Sequence, residues 1–410
     1  MKSNNKIGLL GKSLSHSIMP TIIKENTNLE YQFFETQDVD DFLCKKDFKY
    51  INVTFPYKNT VINKLNFVSK NVRETNACNL IINRNGKLYG YNTDVTGFNY
   101  LIVSNNIQIK NKIILILGNG ATSRTISYCL KQSGAKEIIF AVRTKRDDGD
   151  IYISEIPYSK INVLINATPV GLQEKEDPLV DLSLFSNLEV VIDLLYNPFK
   201  TKLLIEAKTK GIKAVNGLSM LMEQAKQSYY IAFSKKETIS EKWTVPTSWR
   251  NLVLIGMSLS GKTLLLHKIK DLLNVPGVDT DEEIKTKCQK SIKQIFEEEG
   301  EVGFRKYERE EVRNLETKRG IIISTGGGTI LDEANYRSLA KNGFIVYIKK
   351  TRFDTFIEDY NRPLVHSIDD LNKLYLNRRH LYEKFADIIV SGDQNLDDAS
   401  KEILYAYLNY

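Results

Sequence analysis

Four stretches of this 410-residue chain combine residue types and spacings suited to chemistry, most of it on phosphates. Gly256-x-x-x-x-Gly261-Lys262-Thr263 is the tightest of them. Its glycines let backbone N–H groups close on phosphate oxygens, Lys262 is long enough to reach the outer phosphates, and Thr263 supplies a hydroxyl to Mg²⁺. Ser258 and Ser260 fall inside the same loop and are read with it. Gly118-Asn119-Gly120-Ala121 is a looser signal, a glycine pair that lets a dinucleotide pyrophosphate approach the backbone. Asp279-Thr280-Asp281 sets two carboxylates two residues apart, and alternation along a strand end would turn both to one side. Thr325-Gly326-Gly327-Gly328 is a turn that bares its backbone.

Each stretch needs elements to hold it. An apolar strand at 252–255 leads into the phosphate loop, and a helical pattern follows with Leu265, Leu266, Ile269, Leu272 and Leu273 on one face. A continuous apolar strand at 113–117 precedes the glycine pair, and Ile126, Cys129 and Leu130 mark the helix after it. Ser123 stands at the third glycine position of the dinucleotide pattern, so slightly looser helix packing is expected there. The next strand, 138–142, ends in Arg143-Thr144-Lys145-Arg146, where NAD would call for a carboxylate; cations there favour the 2′-phosphate of NADP. Strands at 163–165 and 190–192 run into Asn166-Ala-Thr-Pro169 and Asp193-Leu-Leu-Tyr196-Asn-Pro198. From Asn216-Gly217 a helix reaches about Phe233, with Leu221, Met222, Ala225 and Tyr229 as core and Gln224 open to an exposed reading.

The first hundred residues are plainer. Strands at 7–10, 31–35 and 50–53 and an Asn85-Gly86 hairpin are expected. Ser15 and Ser17 read equally well as helix caps or as ligand hydroxyls. Pro56 ends the third strand, so Lys58 lies just past it, where side chains commonly face a cleft. Thr75-Asn-Ala-Cys-Asn79 gathers small residues and amides suited to a polar ligand.

Composition sets the outer bounds. The length implies two or three domains. No apolar run would cross a bilayer and no secretory signal pattern is seen, so a cytoplasmic protein without membrane partners is expected. Cys44, Cys78, Cys129 and Cys288 are scattered, which argues for reduced thiols and against zinc. The net charge of +7 resides in the first 250 residues, but its lysines are dispersed, and anionic small molecules suit it better than nucleic acid. The oligomeric state is not set by these features.

In order along the chain, Leu14-Ser-His-Ser17, Asn52-Val-Thr54-Phe-Pro-Tyr-Lys58, Ala77-Cys-Asn79, Asn92-Thr-Asp94, Gly118-Asn-Gly-Ala121, Arg143-Thr144, Asn166-Ala-Thr168, Tyr196-Asn-Pro198 and Asn216-Gly-Leu-Ser-Met220-Leu resemble shikimate dehydrogenase. The resemblance implies an α/β substrate domain over 1–95 completed by the helix 217–235, a Rossmann-type NADP domain over 96–216, and a linker over 236–250. It implies Lys58 and Asp94 as the catalytic pair, which agrees with ketone reduction, where a proton must meet the developing alkoxide. Ser15, Ser17, Thr54, Asn79, Tyr196 and Gln224 would hold substrate. Gly118, Asn119, Gly120, Ala121, Arg143, Thr144, Gly217 and Met220 would hold the cofactor, Met220 against the nicotinamide. Met19 departs from the family's usual Ser-x-Ser-Pro, replacing a hydroxyl donor by a thioether. Val142 and Asp147 are further departures, the latter where a second phosphate-binding Arg is common.

Residues 251–410 resemble shikimate kinase, a P-loop domain with a parallel sheet, through the phosphate loop, Asp-x-Asp, Phe304-Arg305-x-x-Glu308, the triple glycine, Arg362-Pro-Leu and Arg378-x-x-x-Tyr382-x-x-x-Ala-Asp387. The resemblance implies that Asp281 accepts the proton of the attacking hydroxyl and Asp279 supports Mg²⁺. Arg305 and Arg378 would clamp the substrate carboxylate, Gly327 and Gly328 would admit it to the backbone, and Gly256, Ser258, Ser260, Gly261, Lys262, Thr263 and a lid residue, Arg362, would bind ATP. The lid at 351–362 is slightly short. The expectation is a bifunctional enzyme that reduces 3-dehydroshikimate to shikimate and then phosphorylates it. Alternatives are a quinate or broad-specificity dehydrogenase fused to the kinase, and a non-catalytic ligand sensor.

Overall fold

The computed structural model describes residues 6–173, 176–234, 243–351 and 367–409. They fall into two compact units, Met1–Asn197 with Thr201–Ala207 and Ile212–Val245, and Pro246–Tyr410 with Pro198–Lys200 and Lys208–Gly211.

The first unit holds two six-stranded sheets. One comprises β1 (Ile7–Gly11), β2 (Gln32–Glu35), β3 (Tyr50–Val53), β4 (Phe67–Val68), β5 (Leu80–Arg84) and β6 (Lys87–Tyr91), in the order β2-β1-β3-β5-β6-β4. Here β1, β2 and β3 are parallel, and β5 runs against β3 and β6. Asn85 and Gly86, at φ 52° and 80°, close the β5–β6 hairpin as the sequence requires.

The other sheet has β7 (Ile113–Leu117), β8 (Glu137–Val142), β9 (Asp150–Tyr152), β10 (Val163–Asn166), β11 (Val190–Asp193) and β12 (Lys213–Asn216), all parallel, in the order β12-β11-β10-β7-β8-β9. This is the doubly wound dinucleotide order, whose crevice opens between β7 and β10. Both faces are covered, and so the central strands β7, β10 and β11 are apolar along most of their length. Ile114 and Ile116 pack with Phe98, Leu101, Ile126 and Leu130, whereas Leu115 and Leu117 pack with Leu203, Leu204 and Phe185.

The helix Leu218–Phe233 leaves the dinucleotide sheet and packs along Asp94–Ser104. Gly97 permits the approach, since a Cβ there would stand 2.5 Å from the Met220 carbonyl oxygen. Ser228 on the same helix accepts a 2.9 Å hydrogen bond from the Asn52 amide of β3.

The second unit has β13 (Asn251–Ile255), β14 (Gly277–Asp279), β15 (Ile322–Ser324), β16 (Gly343–Lys349) and β17 (Ile388–Ser391), parallel in the order β14-β15-β13-β16-β17. The central strand β13 feeds the phosphate loop, and the helix Lys262–Leu273 follows. Leu265, Leu266 and Ile269 of that helix are buried as expected; Leu272 is exposed, because the buried stripe covers fewer positions than periodicity assigned.

The stretch read as a linker, 236–250, is described only from residue 243 on. Residues 235–242 lie outside the described residues, but Thr244 exchanges two backbone hydrogen bonds with the Asn26 side chain, at 2.8 and 3.0 Å, and Val245 is buried. No helix among the described residues is long and apolar enough to cross a membrane.

Gly97→Ala is expected to destabilise the first unit by roughly 1–3 kcal/mol, the cost of overpacking a close contact. A lower urea midpoint by circular dichroism checks this; an unchanged midpoint would mean that the two helices part without cost.

Candidate active sites

In the first unit the site is organised around Asp94, the first residue of its helix and almost fully buried. Its Oδ2 lies 2.6 Å from Lys58 Nζ, and its Oδ1 accepts a 2.8 Å hydrogen bond from the Asn79 amide. Lys58 also donates to Thr122 Oγ1 at 3.2 Å, at the N-terminal end of the dinucleotide helix Ala121–Gln132. Ion pair and nucleotide turn are thereby brought together. A buried carboxylate with two donors on it is satisfied rather than stranded.

Asn79 extends the arrangement. Its amide group also reaches Gln224 Oε1 at 3.3 Å, and Gln224 Nε2 in turn faces the Met19 sulfur at 3.5 Å. Gln224 and Met19 are both buried, so the exposed reading of Gln224 is excluded. Ile18 holds the cap position of the helix Met19–Thr27 without a side-chain bond, and Ser17, one residue before it, accepts from the first helical amide, that of Met19, at 3.3 Å. Ser17 also hydrogen-bonds the Tyr196 hydroxyl, which the Ile18 amide approaches too, while burial raises that phenol's pKa. Ser15 is exposed, and Thr54 is half-buried past the end of β3. Asn92 was not singled out from the sequence, yet its amide ties Thr75 to Thr125 at 2.9 and 3.0 Å, and its Oδ1 caps the Asp94 amide at 3.1 Å.

The dinucleotide turn has the features that the cofactor requires. Gly118 is left-handed at φ 93°, and a Cβ on Gly120 would meet nothing within 4 Å, so a pyrophosphate has room against the backbone. Ser123, expected to loosen the helix, is fully buried, and its hydroxyl accepts from the Gly120 amide at 3.3 Å; the side chain serves as a cap. Gly217 admits no side chain, a Cβ there lying 2.0 Å from the Leu194 carbonyl oxygen, and Met220 is buried on the following turn. Arg143 and Thr144 are exposed beyond β8. Asp150, on a strand that the sequence did not reveal, accepts hydrogen bonds from Asn119 and from the Arg146 and Asp147 amides. Burial would raise its carboxyl pKa, but these donors hold it below the ordinary value.

In the second unit a cavity of about 440 Å³ brings together Thr263, Asp281, Arg305, Gly327 and Arg378. Lys262 folds onto its own loop, donating to the Gly256 and Met257 carbonyls at 3.0 and 2.7 Å. Ser258 and Gly261 line the cavity; Gly256 and Ser260 lie behind it, and Leu259 between them is held at a left-handed φ of 68°. Thr263 Oγ1 is 2.8 Å from Asp279 Oδ2, which Ser324 also contacts at 3.0 Å. One hydroxyl and one carboxylate suit Mg²⁺, which keeps most of its waters and shares phosphate oxygens.

Strand alternation does not place the two carboxylates. β14 stops at Asp279, which caps the helix Thr280–Cys288 by accepting from the Asp281 amide at 3.1 Å. Asp281 therefore stands in the first turn of a helix. Its Oδ1 is buried with no hydrogen-bond partner among the described residues, and a Cβ on Gly326 would approach it to 2.7 Å. Burial first, then Asp279 and Glu308, push its pKa up to about 6.

Arg305 pairs with Glu308 at 2.9 Å and Glu301 at 2.8 Å, and lies where a Gly328 Cβ would be, 2.3 Å from Nη2. Arg378 donates to the Gly327 carbonyl at 3.2 Å, as does the Tyr382 hydroxyl. Arg362 and the lid lie outside the described residues.

A doubly wound dinucleotide sheet beside a Lys–Asp pair, and a phosphate-loop sheet beside a buried carboxylate, define an oxidoreductase joined to a phosphotransferase. Comparison with known proteins makes this particular. Residues 9–81 match the shikimate dehydrogenase substrate binding domain, and residues 259–408 match shikimate kinase. Shikimate dehydrogenase (NADP(+)) of Clostridium beijerinckii is 33% identical over 237 residues, spanning 53% of this chain and 88% of the relative. That of Alkaliphilus oremlandii is 35% identical over 251 residues, spanning 53% and 87%. Shikimate dehydrogenase 1 of Peptoclostridium difficile superposes with a TM-score of 0.53 at 32% identity, covering 58% of this chain and 94% of that one. The chain belongs to the shikimate dehydrogenase family and carries a shikimate kinase domain behind it, as one shikimate-pathway polypeptide.

The elevated Asp281 pKa has two measurable consequences. If Asp281 must be ionised to accept a proton, phosphoryl transfer should fall about tenfold per pH unit below about 6. The folded state also binds this proton more tightly than the unfolded chain, so stability declines as pH rises from about 4 to 6 and stays lower above it. Asp281→Asn is therefore expected to raise the melting temperature at pH 8, by an amount on the order of 1–3 kcal/mol, and to do so less at pH 4. Equal shifts at both pH values would contradict this.

Proposed function

We propose that the first unit reduces 3-dehydroshikimate to shikimate with NADPH and that the second phosphorylates the 3-hydroxyl of shikimate with Mg·ATP. What carries the reading is that each unit has a proton-handling group inside a cleft beside its nucleotide turn: Lys58, 2.6 Å from Asp94, and Asp281, buried beside the triple glycine.

Bound NADPH would supply hydride to the ketone carbon and Mg·ATP the phosphoryl group, with Mg²⁺ held at Thr263 and Asp279. In reduction Lys58 gives a proton to the carbonyl oxygen as charge develops there, and Asp94 fixes the ammonium in position. Asn79, Gln224, Thr54, Ser15, Ser17 and Tyr196 offer donors and acceptors to the ring hydroxyls and carboxylate. Met19 supplies only an acceptor, so the carboxylate depends on the Ser15, Ser17 and Tyr196 hydroxyls. Arg143, Thr144 and Arg146 favour the 2′-phosphate, and the NADP-named relatives support that preference. In phosphorylation Asp281 takes the proton of the attacking hydroxyl, while Arg305 and Arg378 grip the carboxylate with forked donors. Arg362 would cover the ATP phosphates from the lid.

Supplying 3-dehydroshikimate, NADPH and Mg·ATP together should yield shikimate 3-phosphate, detected by mass. Lys58→Ala is expected to slow NADPH oxidation about 10²–10⁴-fold while phosphorylation of added shikimate continues. Asp281→Asn should do the reverse. Loss of neither activity, or of both in either variant, would contradict these assignments.

A further inference from the structure

Asp150 is a buried carboxylate that the chemistry above does not use. It sits on β9, the edge strand of the dinucleotide sheet, and is 3% exposed. Its Oδ1 accepts from Asn119 Nδ2 at 2.8 Å; its Oδ2 accepts from the same nitrogen at 3.0 Å, from the Arg146 amide at 2.9 Å and from the Asp147 amide at 3.2 Å. A return bond runs from the Asp150 amide to the Asp147 carbonyl at 3.0 Å. One carboxylate thus fastens the middle residue of the Gly118–Gly120 turn to the loop that follows β8.

That loop carries the charges facing the ribose side of the turn. Lys145 is turned away, paired with Glu155 at 3.0 Å and lying over the Tyr152 ring. Arg124 approaches Asp147 at 3.9 Å, and Asp147 accepts from Asn119 at 2.8 Å. Arg143 and Arg146 form no ion pair among the described residues, which leaves their guanidinium groups for a ligand's charge. A carboxylate that read ribose hydroxyls, as in NAD sites, would point at the ligand; Asp150 is instead filled by donors from its own chain.

We propose that Asp150 is a positioning residue for cofactor discrimination: by tying Asn119 to the Arg146 and Asp147 backbone, it fixes the distance between the pyrophosphate turn and the cations that take the 2′-phosphate. The proposal rests on the NADP reading given under Proposed function. Without the tie, the 143–149 loop would hold its charges at no set distance from the pyrophosphate. The 2′-phosphate contacts would suffer, whereas a dinucleotide lacking that phosphate would lose little.

The test uses the full chain and its Asp150→Ala and Asp150→Asn variants, with NADPH and NADH affinities from nicotinamide fluorescence and kcat at saturating NADPH. Asp150→Ala is expected to weaken NADPH about tenfold or more and NADH less than about twofold, with kcat nearly unchanged, as for loss of a charge-assisted anchor remote from the reacting atoms. Asp150→Asn keeps one acceptor oxygen and should recover part of the NADPH affinity. It also keeps the question answerable if the alanine variant does not fold. Equal weakening of both cofactors would make Asp150 merely structural, and greater weakening of NADH would make it a ribose ligand; either overturns the proposal. A wild-type preference for NADPH that neither variant moves overturns this proposal alone. A wild-type chain with no such preference overturns the cofactor reading itself, and the proposal with it.

Discussion

The Asp94 carboxylate is the constraint on which the first unit depends. Nearly buried, it accepts a hydrogen bond on each oxygen. It therefore dictates the sense of everything around it: the Lys58 ammonium on one oxygen, the Asn79 amide nitrogen on the other. Asn79 then presents nitrogen to Gln224, so Gln224 turns its oxygen inward and its nitrogen toward Met19. A sulfur acceptor fits that end of the relay. The thioether is thus compatible with the buried amides even though it takes a donor away from the substrate.

The proton acceptor proposed for the second unit has the opposite arrangement. Asp281 leaves one oxygen unbonded among the described residues, and burial with the negative charge of Asp279 and Glu308 outweighs the opposing charge of Lys262 and Lys285. The cost of burying it appears as a raised proton affinity, which is what an acceptor working near neutral pH needs. Glycine at 326 and 328 leaves room for side chains rather than serving a left-handed turn: a Cβ would stand 2.7 Å from Asp281 Oδ1 in one case and 2.3 Å from the Arg305 guanidinium in the other.

Much of this was legible in the sequence. The Gly118 and Gly256 turns were readable because each needs a strand before it and a helix after it, and periodicity supplies both. Elements with weak patterns were not: β9 is three residues long at a sheet edge, and its buried Asp150 looks in sequence like one more charge in a polar loop. The Asp279–Asp281 pair was found for the wrong reason. Alternation needs a strand through Asp281, but β14 ends two residues before it, at Asp279, which pairs with the last residue of β15 and caps the next helix. Ser123 was judged by the glycine it replaced, whereas its hydroxyl gives it a use that glycine lacks. The partners of Asn92 and Gln224 are not legible, because amides reveal what they bind only through residues distant in sequence.

The methionines carry one more implication. The chain has five, and beyond Met1 three of the other four are buried beside residues of the two sites: Met19 against Gln224, Met220 on the turn after Gly217, and Met257 in the phosphate loop, its sulfur 3.6 Å from the Tyr382 hydroxyl. Flexible thioethers fill irregular gaps beside polar groups, and their terminal methyls respond to small changes in those neighbours. The carbon-13 methionine methyl spectrum of this chain is therefore sparse, and three of its five resonances report on the two candidate sites, two from beside Gln224 and Gly217 and one from the phosphate loop, legible in a protein whose full spectrum would be crowded.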